Sequence, residues 1–184
     1  MANARFSIAP AYYTGSEVTP EVTVTHSGKT LVKDRDFIVT YHNNIEPSSY
    51  YNSPWVGIDG IGNYQGYVTK SFTINRADIS SCTVTLSDES LTYTGSSLRP
   101  TVTVKSGDKE LTLNQDYYVS YRNNWDAGTA SAILTGTGNY TGSVTKDFTI
   151  NPLDISRYSA SLSQYSYTSD GTEKCPDVTV TYGD

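Results

Sequence analysis

The chain has 184 residues, of which 36% are hydrophobic and 17% charged, and it carries a formal net charge of −6. Its 13 Lys and Arg are scattered singly on an acidic background, which excludes the concentrated basic face that nucleic acid requires. No apolar run approaches the roughly eighteen residues of a membrane-spanning helix, so no membrane insertion is expected of this stretch. The opening Met1-Ala2-Asn3-Ala4 lacks the charged-then-apolar layout of a signal peptide and reads as a boundary inside a longer protein.

Tyr is unusually common, at 16 against 4 Phe, and Thr, Val, Ser and Gly crowd the remainder. β-branched and aromatic side chains suit a pleated, half-buried surface, and Gly supplies tight turns, so the expected class is all-β. In chain order, Tyr13-Thr14-Gly15 opens the module and Pro20 leads into an alternating strand, Glu21 to Thr25. Gly28 turns the chain, and a second strand runs from Phe37 to Tyr41 before the pair Asn43-Asn44. After Gly62-Asn63-Tyr64 a third alternating segment runs from Tyr67 to Ile74. Each strand places apolar or aromatic residues on one face, the pattern of a small sandwich whose two sheets bury their inner faces.

The same elements then recur. Tyr93-Thr94-Gly95 repeats Tyr13-Thr14-Gly15 at an offset of 80, and Asp116, Tyr117, Val119, Tyr121 and Asn123-Asn124 repeat Asp36, Phe37, Val39, Tyr41 and Asn43-Asn44. From Gly138-Asn139-Tyr140 onward the offset is 76, so the first copy holds four extra residues between Asn44 and Gly62. A third copy begins after Leu153-Asp154-Ile155 repeats Ala77-Asp78-Ile79; it covers roughly half a module, with Pro176, Val178 and Val180 matching Pro100, Val102 and Val104. The expected organisation is repeat one over 1–78, repeat two over 79–153 and a partial repeat three over 154–184. The linkers Arg76 to Ile79 and Pro152 to Ile155 leave little slack, so each repeat has its neighbours as partners in a stiff array. A half-module cannot bury its apolar face alone and should lean on the second copy or be marginally ordered.

These segments resemble the tandem immunoglobulin-like repeats (Big/MBG-like) of Gram-positive bacterial surface and secreted proteins. The matching features are Tyr-Thr-Gly, Pro then Val-Thr-Val, Asp-Tyr-x-Val-x-Tyr-x-Asn-Asn, Ala-Gly-Thr-Ala, Gly-Thr-Gly-Asn-Tyr-Thr-Gly and Lys-x-Phe-Thr-Ile. Repeat two, from Cys82 to Ile150, carries all of them. The first departs at Ala-Gly-Thr-Ala, where it has Ile45 to Pro54, and the third is cut short. The resemblance implies tandem immunoglobulin-like sandwiches acting as spacers or adhesive stalks, located at the cell surface or secreted. It transfers no catalytic residue and no defined ligand.

Candidate sites are few. His26 and His42 are the only histidines and neither has a nucleophile or acid in a recognised spacing, so no catalytic residue is expected. No Asp-x-Asp-x-Asp loop or Cys/His cluster appears, so neither a metal nor another cofactor is expected, and Asp116 and Asp126 read as turn caps. Cys82 and Cys175 occupy different repeat positions and are expected to be unpaired thiols. The recurring tyrosines at 13 and 93, 41 and 121, and 64 and 140 are assigned to core and corner packing.

The non-repeated segment from Ile45 to Trp55 escapes the demands of the shared fold and gathers Tyr50, Tyr51 and Trp55. Loops on rigid sandwiches often carry binding, and Tyr and Trp are favoured anchors of interfaces. The alternative is that Trp55 packs as an ordinary strand residue under the two tyrosines. Trp125 and Tyr118 form a second candidate pair in repeat two. The expected function is a non-catalytic spacer; the alternative is a module that binds a host surface or secreted protein, such as an immunoglobulin or mucin, or a glycan, through the Tyr50-Tyr51-Trp55 loop or a sheet edge.

Overall fold

Period-two alternation and abundant Thr, Val and Tyr commit the chain to strands, and the computed structural model is all-β over the described residues, 4–182. The only helical pieces there are two single 3-10 turns, Ile79–Ser81 and Ile155–Arg157, each capped by the preceding aspartate. The first repeat comprises β1 (Ala4–Ile8), β2 (Ala11–Tyr12), β3 (Val22–His26), β4 (Lys29–Thr30), β5 (Phe37–His42), β6 (Trp55–Gly60), β7 (Tyr67–Ser71) and β8 (Ile74–Asn75). One sheet has the order β1-β3-β4 and the other β5-β6-β7, with β2 and β8 forming a short parallel pair. Phe6, Val22 and Val24 from the first sheet meet Phe37, Val56 and Ile58 from the second, which is the sandwich core.

The linker that ends repeat one supplies β9 (Ala77–Asp78), and the second repeat supplies β10 (Thr83–Leu86), β11 (Ser90–Thr92), β12 (Val102–Ser106), β13 (Lys109–Glu110), β14 (Tyr117–Arg122), β15 (Gly128–Gly136), β16 (Tyr140–Thr141) and β17 (Ser143–Asn151). Its sheets are β10-β12-β13 and β11-β17-β15-β14. Here β17 is continuous, whereas in the first repeat the equivalent segment is broken into β7 and β8. The four extra residues explain the break. In repeat two the ladder runs on to Gly128 opposite Ile150. In repeat one the inserted loop takes over that backbone: Ser48 N–H donates to Ile74 O at 2.9 Å, and Ile74 N–H donates to Ser48 Oγ at 3.0 Å.

The central strand β6 has no clear alternation in sequence, because Gly57, Asp59 and Gly60 interrupt it. Its inward residues Val56 and Ile58 are nonetheless fully buried, so register against β5 and β7 decides the strand where local pattern does not.

The first junction is built from both repeats. Ala11, Tyr13, Ile74 and Ile79 share one core cluster with Val84, Val104, Leu111 and Tyr140. Tyr13 meets Tyr140 edge-on, ring centroids 5.7 Å apart. Strand β9 pairs in parallel with β16, and Ala77 N–H donates to Asn139 O at 3.0 Å. Beyond the second repeat, β18 (Tyr158–Leu162) and β19 (Val178–Tyr182) form an antiparallel pair. Val178 and Val180 there are exposed, whereas their counterparts Val102 and Val104 are buried under the opposing sheet.

Candidate functional site

The Asn pairs fix where each β5-type strand ends. Asn43 and Asn123 both take the left-handed conformation, φ 53°, which Asn tolerates better than most residues. The second Asn of each pair is buried and ties down a distant segment: Asn44 Nδ2 donates to Val18 O at 3.2 Å, and Asn124 Nδ2 to Leu98 O at 2.8 Å. From this shared anchor the two repeats diverge.

In repeat one the chain rises into a braced loop. Asn52 Nδ2 donates to Glu46 O at 2.8 Å and Pro47 O at 3.3 Å, Ser49 N–H donates to Asn52 O at 2.9 Å, and Asn52 N–H to Ser49 Oγ at 3.1 Å. Tyr50 and Tyr51 sit at the tip of that turn, each 94% exposed, their rings edge to face at 5.0 Å. Trp55 is not in the loop with them. It is the first residue of β6, half-buried on the outer face of the sheet, and stacks on His42 of β5 with centroids 3.9 Å apart and planes within 13°.

Repeat two is simpler. Trp125 follows the Asn pair in the turn and is exposed; Tyr118 is exposed on the outer face at the far end of β14. The two lie at opposite ends of one strand and are not brought together.

The recurring tyrosines do internal work. Tyr41 Oη donates to Pro20 O and Tyr121 Oη to Pro100 O, both at 2.6 Å, so each hydroxyl ties a strand back to a backbone carbonyl 21 residues earlier. Burial raises the pKa of both, and of Tyr117 and Tyr140, because the phenolate loses water. Tyr13 and Tyr140 are buried at the junction, while Tyr64 is half-buried with its ring against His26.

Asp36 and Asp116 are buried caps, each accepting at 2.8 Å from the backbone N–H four residues earlier, Val32 and Thr112. Asp36 is held below the usual carboxylate range first by its side-chain hydrogen bond from Arg35, then by Val32 N–H. Both cysteines are free thiols, Cys82 half-buried against the junction core and Cys175 exposed. Among the described residues no three His, Cys, Asp or Glu side chains converge on a metal position.

Residues that sequence reasoning passed over lie beside Trp55. Reading across the outer face of repeat one, the rows are His42–Trp55–Ser71, Thr40–Gly57–Thr69 and Ile38–Asp59–Tyr67. Tyr67 is 60% exposed, and a Cβ placed at Gly57 would fall on Tyr67 Oη, 2.7 Å from Thr40 Oγ1 and 2.9 Å from Tyr67 Cε2. The tyrosine therefore lies across β6, its end resting on the bare backbone of Gly57. The signal was present in the repeat alignment: Gly57 stands where Ile133 stands, Tyr67 where Ser143 stands and Trp55 where Ser131 stands.

No family model matches the chain, and neither a curated protein nor a solved structure is significantly similar to it.

Proposed function

We propose that this chain is a non-catalytic spacer from a bacterial cell-surface or secreted protein, made of stacked immunoglobulin-like repeats that hold a fixed end-to-end arrangement outside the cell. The observation that carries this reading is the junction of the first two repeats. An apolar cluster runs through it without a break, the parallel β9-β16 pairing crosses it, and Lys109 Nζ donates to Tyr13 Oη at 3.5 Å along its rim. Two bodies joined only by a tether share no core; a load-bearing or projecting stalk needs one. The test is a distance distribution between spin labels at the exposed positions Lys29 and Lys146, introduced after replacing both native cysteines by Ala. A single narrow population is expected. A broad distribution, typical of a flexible linker, rules the stiff-spacer reading out.

A second reading is favoured by one observation. Tyr50 and Tyr51 are held clear of the body by a hydrogen-bonded turn, which spends loop order on presenting two rings to solvent. On that reading the loop is an adhesive tip for a host protein. Tyr50→Ala with Tyr51→Ala then removes more than about 1 kcal/mol of binding to whatever the parent chain captures from serum or mucus. Equal capture by parent and double variant refutes it.

A further inference from the structure

The two complete repeats agree inside and disagree outside. On the inner face Phe37, Val39 and Tyr41 correspond to Tyr117, Val119 and Tyr121, and Val56 and Ile58 to Ala132 and Leu134. On the outer face of repeat two the rows are Arg122–Ser131–Asp147, Ser120–Ile133–Thr145 and Tyr118–Thr135–Ser143. In repeat one the charged ends Arg122 and Asp147 are replaced by His42 and Ser71, the central Ile133 by Gly57, and Ser131 and Ser143 by Trp55 and Tyr67. No packing demand of the sandwich asks for these changes, because every one of them points away from the core.

Their geometry is cooperative. Gly57 removes the one side chain that would hold Tyr67 upright, and the phenol reaches across the strand with its Oη and Cε2 over Gly57 while the residue stays 60% exposed. Two residues along β6, about 7 Å at strand rise, Trp55 is propped by its stack on His42. Ser71, its neighbour on β7, is too small to cover the indole from the other side. Thr40 and Thr69 in the row of Gly57, and Ser71 beside Trp55, add hydroxyls, and among the described residues of the face Asp59 is the single carboxylate and there is no Lys or Arg.

We infer that the outer face of β5-β6-β7 is a binding platform for a neutral pyranose glycan, with Tyr67 and Trp55 as its stacking surfaces. A pyranose presents an apolar face of C–H groups that lies flat on an aromatic ring, and a rim of hydroxyls that both donate and accept. The threonine and serine hydroxyls and the Asp59 carboxylate answer that rim. The charge pattern chooses the ligand: without a cation the face has nothing to hold an acidic polysaccharide or a phosphate, and Asp59 repels both. Nor is there a deep apolar pocket of the kind that anchors a protein hot spot. The inference goes beyond the spacer reading and is independent of the Tyr50-Tyr51 loop; repeat two, with Ser131, Ile133 and Ser143, is its internal blank.

The experiment is native affinity electrophoresis of the whole chain in gels containing a neutral β-glucan, a galactomannan or, as the charged counterpart, polygalacturonate, with tryptophan fluorescence titrated against the matching oligosaccharides. At least one neutral polysaccharide is expected to retard the chain, and polygalacturonate is not. Tyr67→Ser and Trp55→Ser, each installing the repeat-two residue, are expected to weaken binding about tenfold or more. Tyr50→Ala with Tyr51→Ala leaves retardation unchanged. Unfolding midpoints of the serine variants check that the fold is intact, and Gly57→Ala, which pushes Tyr67 off the strand without removing it, gives a second route to the same loss. Migration of the parent unaffected by either neutral polysaccharide overturns the inference, as does retardation that survives Tyr67→Ser and Trp55→Ser, or that the loop variant abolishes.

Discussion

Ile79 and Ile155 hold the same place in successive repeats, directly after the aspartate that caps a 3-10 turn, and they meet opposite surroundings. Ile79 is 0% exposed, enclosed by Val84, Val104 and Tyr140, while Ile155 is 73% exposed. Tyr13 and Tyr93 are a second such pair: Tyr13 is buried against Tyr140, whereas Tyr93 borders an open apolar notch formed with Ala127, Pro152, Leu153, Ile155 and Tyr158. The local sequences are nearly the same at both junctions. What differs is the second half of the following module, whose Gly138-Asn139-Tyr140 segment closes the first junction. A junction in this chain is thus a product of the downstream sandwich, and the linker only sets its register.

The largest expected effect breaks that comparison directly. Ile79→Ala removes a fully enclosed side chain from a core shared by two repeats and should cost about 2–5 kcal/mol in urea unfolding. Ile155→Ala should lie within about 0.5 kcal/mol of the parent. Equal losses at the two sites would mean that the second junction is as closed as the first.

Alkaline pH should act on the completed repeats. Tyr41, Tyr117, Tyr121 and Tyr140 all have pKa values raised first by burial, so the folded state holds their protons more tightly than the unfolded chain does. Above the unfolded value, about 10, the unfolded state binds fewer protons, and linkage makes the unfolding free energy fall as pH rises. The stabilisation is fully present below about pH 10 and is lost progressively through the raised folded values. Tyrosinate absorbance recorded beside circular dichroism should show a set of tyrosines titrating late, together with loss of strand signal. Complete tyrosine titration before any loss of strand signal contradicts this.

A smaller effect is expected at the corner. Tyr121→Phe removes the hydroxyl that reaches Pro100 O and should cost about 1 kcal/mol, with Tyr41→Phe similar through Pro20 O. The two values compare the frames of repeats one and two. A marked difference would show that the four extra residues of repeat one alter how its sheets are tied, although the corner distances are equal.

The strands Val22–His26 and Phe37–His42, the turn roles of the Asn pairs and the internal duty of Tyr41 and Tyr121 were legible in the sequence, because alternation and repetition report which face is buried. Strand β6 was not, since two glycines and an aspartate hide its alternation and only cross-strand register reveals it. Closeness in sequence groups Trp55 with Tyr50 and Tyr51; its real neighbours are His42 across the ladder and the face that continues to Gly57 and Tyr67. A ring lying across a neighbouring strand is a two-residue diagonal contact, and linear pattern carries no term for it.

The smallest expected effect sharpens the comparison most. Glu46 Oε2 accepts from Asn139 Nδ2 at 2.7 Å, a hydrogen bond that joins the inserted loop of repeat one to the segment that closes the junction. Glu46 is exposed and Asn139 only half-buried, so water replaces the carboxylate readily, and Glu46→Ala should change stability by no more than about 0.5 kcal/mol. The label-to-label distance between Lys29 and Lys146 should also stay put, because Tyr13, Ile79 and Tyr140 carry the junction underneath. If that distance instead broadens while Ile79→Ala leaves it narrow, the clasp lies on the surface, and the four extra residues exist to hold repeat two in place.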